Sequence, residues 1–543
     1  MKINGNLVDV HNRQIFPAEV EVAKGKIKKI TPVAKSFDVF ILPGLVDAHI
    51  HIESSLLTPS RFAEAVAPHG TVAVVSDPHE IANVLGIKGV EFMIEDAKKV
   101  PLKIFFTAPS CVPATSFETS GAVLDSKAVA KLLRRKSVVA LGEVMNFPGV
   151  VNNDAEVMAK IEAAKRLKKP IDGHCPLLSG DALKKYIASG ISTDHECTSF
   201  DEAKEKAELG MRIMIREGSS AKNLEDLLSI AKNEKYTCFL VSDDKHPRDL
   251  CEGHVNLMLK KLVSLGVEPV HAVCMATLNP VQHYNLDVGL LRMGDDADFV
   301  IVDSLKDFNV LQTWVKGVKV AENGSSLFDS PPVEPVNVFD FIDKFASDFR
   351  LKSLKPFQRV KVIGVVENQI FTKELTTELN VKDNIVQNDL SIDIAKISVV
   401  ERYGHNRISV AFVKGFSLFD GAIASSVAHD SHNVVVVGTN DNDMAVAANY
   451  LKKVGGGFAV VYEGKVLADL KLPIAGLMSD QTAGKVAENL DKINNEARLM
   501  GCKLKAPFMT LSFLTLLVIP KLKLSDRGLF DGEKFNFTSL FVD

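Results

Sequence analysis

Short apolar runs of strand length recur between residues 44 and 287. There are eight of them: GLVDAHIHI, TVAVVSD, KIFFTAP, SVVALGEV, PIDGH, GISTDHE, RIMIREG and YTCFLVSDD. Amphipathic stretches of helical period, such as DAEVMAKIEAAKRLKK, separate most of these runs. Eight strand–helix units in succession favour a (β/α)8 TIM-like barrel over residues 44–287, and a doubly wound open sheet is the structural alternative.

The segments on either side of this region alternate apolar and polar residues. Residues 1–43 contain AEVEVAKGKIKKI, and residues 288–330 contain DADFVIVDS and TWVKGVKVAENG. An alternation of period two predicts strands with one buried face. We therefore expect a small β-sandwich whose sheet is built from both flanking segments.

The last part of the chain predicts a separate α/β domain over residues 336–543, after a linker at the SPP of residues 330–332. The pattern of residues 336–349 predicts a helix. The stretch from HNVVVV to YEGKVL predicts strand, helix and strand, with Asn440 or Asp441 near the start of the helix and Gly455 to Gly457 at its end.

Composition narrows the classes of function. The 543 residues carry a formal net charge of −4, so no basic excess is present to neutralise phosphates, and we expect no nucleic-acid partner. The apolar stretch at residues 508–519 is too short to span a bilayer, so no membrane partner is expected. Seven cysteines without a C-x-x-C pair are typical of buried thiols in a reducing cytoplasm.

Ionisable residues stand at the carboxyl end of seven of the eight runs. A single residue of this kind is ordinary in a loop after a strand, but in a barrel all these ends meet at one rim, where active sites lie. The residues concerned are His49 and His51, Asp77, Glu143, His174, His195, Arg216 with Glu217, and Asp243.

The segment DAHIHIE contains two histidines that face the same side of a strand, His49 and His51. Such a pair is only weak evidence for a metal site on its own, but further candidate ligands follow at later strand ends: Glu143, His174, His195 and Asp243. Four imidazoles and two carboxylates without a thiolate suit Zn, Mn, Fe, Co or Ni. Six ligands exceed the three of a mononuclear catalytic zinc site, so we predict two metal ions bridged by one carboxylate and a hydrolytic reaction.

Several motifs together resemble the adenine deaminases of the amidohydrolase superfamily. They are LPGLVDAHIHIESS, SDPHEIANVLG, GEVMNFPGV, DGHCPLLSG, DHECTS, REGSS and SDD, with AHDSHN, VGTND and LPIAGLMSD in the C-terminal part. The resemblance covers nearly the whole chain. Where many members of the superfamily carry a carboxylated lysine after the fourth strand, this chain has Glu143, as adenine deaminases do.

The resemblance implies a ligand set and a reaction. His49, His51 and Asp243 would hold one ion, His174 and His195 the other, and Glu143 would lie between the two. The ions would be Mn²⁺ or Fe²⁺, two per chain, and a hydroxide between them would attack C6 of adenine, giving hypoxanthine and ammonia in purine salvage or catabolism.

Asp243 is the expected catalytic acid and base, together with Glu143 at the metals. Its neighbour Asp244 should point away, because adjacent strand residues face opposite sides. Two alternatives remain open at this stage. One is an amidohydrolase acting on another aminopurine or cyclic amide; the other is a metal-free, non-catalytic paralogue, which the presence of all six ligands disfavours.

Four further residues are candidates for binding the purine. Arg216 and Glu217 would read its polar edge, or else form an ion pair with each other. His79 and Glu80 follow the second run, as does Asp77, and Asp77 would equally serve as the cap of the next helix.

The AHDSHN stretch is the main candidate outside the barrel. His429, Asp430 and His432 would close over the barrel, hold a further metal ion or stabilise a loop of their own domain. For the protein as a whole, we expect a homo-oligomer.

Overall fold

Eight parallel strands form the central barrel in the computed structural model, which describes residues 1–367 and 369–543. Neighbouring strands pair in chain order; Ser192 N donates to Ile171 O over 3.0 Å between the fifth and sixth strands. Asp243 pairs with Ile50 and joins the last strand to the first. This closure confirms the predicted barrel, since an open sheet would leave its first and last strands apart. The strands are Leu45–His51, Thr71–Ser76, Lys103–Ala108, Val138–Val144, Ile171–Gly173, Thr193–Asp194, Arg212–Arg216, and Cys238–Val241 with Asp243–Asp244.

Helices cover the outside of the barrel. Every residue of Leu45–His51 and of Thr71–Ser76 is buried, as expected for strands that pack against helices on one face and against the barrel interior on the other. The helices are Pro59–Val66, His79–Leu85, Ile87–Ala97, Ser126–Leu133, Phe147–Val151, Ala155–Arg166, Gly180–Ala188, Phe200–Glu208, Leu228–Ala231, Pro247–Glu252, Val255–Ser264, Pro269–Met275 and Leu278–Tyr284.

The two flanking segments form one eight-stranded sheet, as their shared pattern predicted. Phe40–Pro43 is the link, because it pairs in parallel with Lys2–Asp9 and antiparallel with Phe299–Val302. In spatial order the strands are Ser325–Ser326, Val318–Glu322, Val310–Val315, Phe299–Val302, Phe40–Pro43, Lys2–Asp9, Gln14–Ala23 and Lys26–Pro32.

The C-terminal part is built on a nine-stranded, mainly antiparallel sheet. In spatial order its strands are Ile385–Val386, Thr372–Lys382, Phe357–Val365, Ile408–Lys414, Ile394–Val400, Val434–Gly438, Ala422–Ser425, Gly457–Tyr462 and Lys465–Lys471. A smaller sheet contains Leu522–Ser525, Gly528–Asp531 and Asn536–Phe537, and the helices are Asp441–Val454, Ala483–Leu499 and Pro507–Phe513.

The predicted strand–helix–strand unit of this part is confirmed. Asn440 caps the helix, since its side chain accepts a hydrogen bond of 2.9 Å from Asp443 N. Gly455 ends the helix with a φ of 83°, a conformation that glycine adopts without strain.

The helix predicted at residues 336–349 is wrong. The segment is extended and irregular, with a single 3₁₀ turn at Ala346–Phe349. Side chains of the C-terminal domain take the hydrogen bonds that a helix would use: the side chain of Asn449 accepts from Lys344 N over 2.8 Å and donates to Lys344 O over 2.8 Å. Tertiary contacts therefore outweigh the local helical period.

Two predictions from composition concern individual segments. Among the described residues, no helix combines the length and the apolar character needed to cross a bilayer. Six of the seven cysteines are buried as predicted, whereas Cys251 is exposed at the end of the helix Pro247–Glu252.

Candidate metal centre

Side chains from several strand ends converge on Glu143 at the carboxyl-terminal rim of the barrel. One carboxylate oxygen, Oε1, lies 3.2 Å from His51 Nε2. The other, Oε2, lies 2.8 Å from His174 Nδ1 and 3.2 Å from His195 Nε2. One oxygen of Glu143 thus faces His51, and the other faces His174 and His195.

Asp243 lies on the side of His49 and His51. Its Oδ1 is 3.1 Å from His51 Nε2 and 3.5 Å from His49 Nε2. The rings of His49 and His51 are 4.9 Å apart, as two side chains on one side of a strand should be. The structure thus brings all six predicted ligands together. We refer to this set of candidate ligands as the metal centre: His49, His51, Glu143, His174, His195 and Asp243.

Several nitrogens of the metal centre have no hydrogen-bond partner in the part of the chain that the structure describes. They are Nδ1 and Nε2 of His49 and Nδ1 of His195, and both side chains are 1% exposed. A buried polar atom without a partner is unfavourable, and a ligated cation would satisfy such a nitrogen. Nitrogen and carboxylate donors without a thiolate fit divalent transition metals.

The electrostatics of the metal centre also favour a cation. Burial alone would raise the pKa of Glu143, but hydrogen bonds from His174, His195 and His51 hold it well below its ordinary value. Burial opposes ionisation of Asp243 in the same way, yet His49, His51 and the charge of Arg216 keep its pKa well below the ordinary value. The site therefore contains two buried, ionised carboxylates, Glu143 and Asp243, and both lie next to His51.

Asp77 supports the metal centre from behind. Its backbone oxygen lies 3.0 Å from His51 Nδ1, which places the proton on Nδ1 and leaves Nε2 free for a metal. Its carboxylate accepts a hydrogen bond of 3.1 Å from Glu143 N. A Cβ on Gly142 would come within 2.1 Å of this carboxylate, so glycine is required there. The helix-cap reading of Asp77 is wrong, because the helix begins only after Pro78.

Arg216 and Glu217 do not form the ion pair with each other that was one of the two predicted arrangements. Arg216 Nη1 donates a hydrogen bond of 2.9 Å to Asp243 Oδ2, and its guanidinium also pairs with Glu196. Glu217 Oε1 accepts a hydrogen bond of 2.8 Å from Lys261 and does not reach the metal centre. The two side chains separate because neighbouring residues of an extended segment face opposite sides.

Asp244 points away from the metal centre, as predicted from strand alternation. It accepts a hydrogen bond of 2.5 Å from Ser54 Oγ. Asp243 itself has a φ of 55°, an uncommon backbone conformation for aspartate of the kind found where a site over-determines the chain.

His79 and Glu80 occupy different places. His79 Nδ1 lies 3.5 Å from Glu143 Oε1, and its ring centroid is 4.6 Å from that of His51, so His79 borders the metal centre. Glu80 Oε1 lies 3.3 Å from Ser54 Oγ and 3.5 Å from His429 Nδ1, at the boundary with the C-terminal domain.

The AHDSHN stretch reaches the barrel through Glu80. His432 Nε2 lies 3.8 Å from Glu80 Oε2, and its Nδ1 accepts a hydrogen bond of 3.3 Å from Ala428 N. Burial, followed by the charge of His429, holds the pKa of His432 well below its ordinary value. Glu80, His429 and His432 offer three ligand atoms within 4.8 Å of one another, close enough to share a metal ion. Asp430 is buried beside His429, at 3.9 Å between Oδ1 and Nδ1.

Glu196 belongs to the site although it was not singled out from the sequence. Its Oε1 lies 3.4 Å from His195 Nε2 and 3.8 Å from His174 Nδ1, and it shares Arg216 with Asp243. The available signal was its place directly after His195 in the DHECTS motif.

Comparisons with known proteins identify the family. Residues 40–320 match the amidohydrolase family and residues 369–536 the adenine deaminase C-terminal domain. An adenine deaminase of Methanothermobacter thermautotrophicus is 51% identical over 99% of both chains. Adenine deaminases of Salinibacter ruber (48% identical, 100% of this chain and 99% of that one) and Methanosphaera stadtmanae (46%, 100% of both) are similar throughout. With its metal centre at the rim of an amidohydrolase barrel and a matching C-terminal domain, the chain belongs to the adenine deaminase family.

Proposed function

We propose that this protein hydrolyses adenine to hypoxanthine and ammonia (EC 3.5.4.2) with two divalent metal ions, Mn²⁺ or Fe²⁺, as cofactors. The observation that carries the proposal is the position of Glu143 between two groups of imidazoles, in a chain 51% identical over its full length to an adenine deaminase. The substrate is then a small heteroaromatic base and the bond broken is its exocyclic C–N bond.

The residues of the metal centre divide between the two ions. His49, His51 and Asp243 would hold one, and His174 and His195 would hold the other, since one carboxylate oxygen of Glu143 faces each group. When bound, the metal ions supply an activated water nucleophile at neutral pH and act as Lewis acids.

Asp243 moves the protons of the reaction. Hydrolysis adds water across the bond between C6 and its neighbouring ring nitrogen. The hydroxyl group joins C6, one proton of the water goes to that nitrogen, and the other goes to the amine, which leaves as ammonia. Asp243 Oδ1 faces the histidines at 3.1 Å from His51 Nε2, where it takes the proton of the attacking water and passes it on. Its Oδ2 is held by Arg216, which keeps the carboxylate ionised and oriented.

The chain divides its work between three units in this proposal. The barrel over residues 44–287 carries the chemistry, the strands of residues 1–43 and 288–330 brace its outer side, and residues 336–543 complete the surroundings of the metal centre. The barrel and the flanking sheet are joined by a hydrogen bond of 3.1 Å from Gly44 N to Asp298 O.

The test is conversion of adenine by manganese-loaded protein, followed by ultraviolet absorbance and by ammonia release, with adenosine and guanine alongside. We expect turnover of adenine that is lost on chelation and restored by Mn²⁺. Asp243→Asn should abolish turnover and leave the far-ultraviolet circular dichroism unchanged. Metal-replete protein that leaves adenine unchanged, or that converts another cyclic amidine or amide instead, would contradict the proposal.

A further inference from the structure

A buried aspartate, Asp47, lies next to the metal centre but is not one of its candidate ligands. It precedes His49 by two residues on the first barrel strand, so alternation turns its side chain to the same side as His49 and His51. The side chain is fully buried. A buried carboxylate is unfavourable unless polar groups surround it, so the groups around Asp47 indicate its role.

Asp47 joins the first barrel strand to the last. Its Oδ1 accepts a hydrogen bond of 3.1 Å from Ser242 N and one of 3.3 Å from His49 N, and its Oδ2 accepts one from Ser242 Oγ. His49 is a candidate metal ligand, and Ser242 directly precedes another, Asp243. A single buried carboxylate therefore fixes the backbone beside two candidate ligands on neighbouring strands.

The backbone at Asp243 depends on support of this kind. Its φ of 55° is unfavourable for a residue with a Cβ and persists only where the surroundings fix the chain. Ser242 fixes the chain just before it through the two hydrogen bonds to Asp47, and strand pairing with Ile50 fixes Asp243 itself. The anchored Ser242 thus sets the direction in which the side chain of Asp243 leaves the strand.

His254 contacts Asp47 from the loop before the helix Val255–Ser264. Its Nε2 lies 3.0 Å from Asp47 Oδ2, and its Nδ1 lies 2.7 Å from Thr71 Oγ1, at the start of the second barrel strand. The imidazole is 1% exposed, and the ring of Phe62 packs against its edge at 5.8 Å between centroids and an angle of 84°. His254 is therefore fixed in place and joins Asp47 to the second strand.

We propose that Asp47 and His254 are positioning residues for Asp243 that act through Ser242. This inference rests on the proposed function, in which Asp243 moves protons and holds one metal ion. His254 holds Asp47, and Asp47 holds Ser242. Without this chain of contacts, Asp243 loses the orientation that places its Oδ1 at 3.1 Å from His51 Nε2.

The first test compares Ser242→Ala with Ser76→Ala. Ser76 is a matched control, because it is equally buried and also precedes an aspartate at the end of a barrel strand. Its hydroxyl has no hydrogen-bond partner among the described residues. We expect Ser242→Ala to lower kcat for adenine by about tenfold, at a KM within about twofold of the wild type and with two metal ions retained. Ser76→Ala should match the wild type.

Variants of Asp47 and His254 test the rest of the chain of contacts. Asp47→Asn should lower kcat by about 100-fold, because an amide has one acceptor oxygen where the carboxylate has two. His254→Leu should lower kcat about as much as Ser242→Ala. His254→Gln, whose amide offers an N–H group to Asp47, should recover most of the loss.

The visible absorption of Co²⁺-loaded protein gives a readout that needs no substrate. The spectrum should change in Asp47→Asn and in Ser242→Ala at unchanged Co²⁺ content, because a ligand has moved, and should stay the same in Ser76→Ala. A wild-type spectrum and wild-type kcat in folded Ser242→Ala would overturn the inference, even where that variant unfolds more easily. A wild type that leaves adenine unchanged would overturn the proposed function alone, since the spectra would still decide whether Asp47 and Ser242 position Asp243.

Discussion

Arg216 donates a hydrogen bond of 2.9 Å to Asp243, so that the proposed proton carrier is held by a buried cation. Burial disfavours the charge of Arg216, but Glu196 and Asp243 raise the pKa of its guanidinium further above its already high ordinary value. The guanidinium is therefore permanently charged and fixed between two carboxylates. We expect this hydrogen bond to orient Asp243, and the reading of the purine edge by Arg216 stays a prediction.

Arg216→Met should lower kcat for adenine by about 100-fold or more, because a misplaced catalytic group loses most of its effect. The carboxylate of Asp243 remains in the variant, so any loss reflects its orientation and charge environment. Steady-state kinetics at saturating metal is the measurement. Arg212→Met, at the opposite end of the same strand, is the matched control. Equal kcat in the Arg216 variant and the wild type would contradict the assigned role.

Glu143→Gln should reduce the metal content of the purified protein from two ions per chain to one or none. The amide keeps the shape of the side chain but removes the negative charge that faces His51 on one side and His174 on the other. Metal analysis after gel filtration measures this directly. Glu217→Gln is a matched control, since that carboxylate bonds Lys261. Two ions retained in Glu143→Gln would show that the carboxylate is dispensable for metal binding.

The barrel and its candidate metal ligands could be predicted because both depend on patterns of neighbouring residues in the sequence. Parallel strands bring their carboxyl ends to one rim, and alternation along a strand decides that Asp243 faces the histidines while Asp244 does not. These two regularities require no knowledge of distant contacts.

Other parts of the site depend on packing between distant segments, which no local pattern reveals. Glu80 of the barrel meets His429 across the boundary with the C-terminal domain, and Glu196 pairs with Arg216 of the next barrel strand. The prediction of a helix at residues 336–349 failed for the same reason. Two hydrogen bonds with the side chain of Asn449 hold the backbone of Lys344 in an extended segment.

Lys206→Met should lower the free energy of unfolding by about 3–5 kcal/mol, since it would leave a buried carboxylate without its partner. Lys206 Nζ donates to Asp194 Oδ2 over 2.9 Å and to Cys175 O over 2.7 Å, and both charged side chains are fully buried. Asp194 directly precedes His195, so the ion pair also supports the metal centre. Denaturant unfolding measures the effect.

The control for this variant is Lys184→Met, whose lysine side chain is 61% exposed and pairs with Asp181 on the surface. We expect its free energy of unfolding to stay within about 0.5 kcal/mol of the wild type. Equal stability of the two variants would mean that the buried pair contributes nothing beyond a surface pair.

Glu118→Gln should make the stability of the protein less dependent on pH. Burial, followed by the charge of Asp430, raises the pKa of Glu118 from 4.5 to about 8. Between these values the folded protein holds a proton that the unfolded chain has released, so the free energy of unfolding falls as pH rises, by at most about 1.4 kcal/mol per pH unit. The glutamine variant has no proton to lose. Its stability relative to the wild type should therefore be constant below pH 4.5 and grow up to about pH 8.

Unfolding by denaturant at several pH values measures this difference. The control is Glu162→Gln, because that glutamate side chain is 49% exposed. A difference that does not change with pH would show that Glu118 ionises alike in the folded and unfolded states.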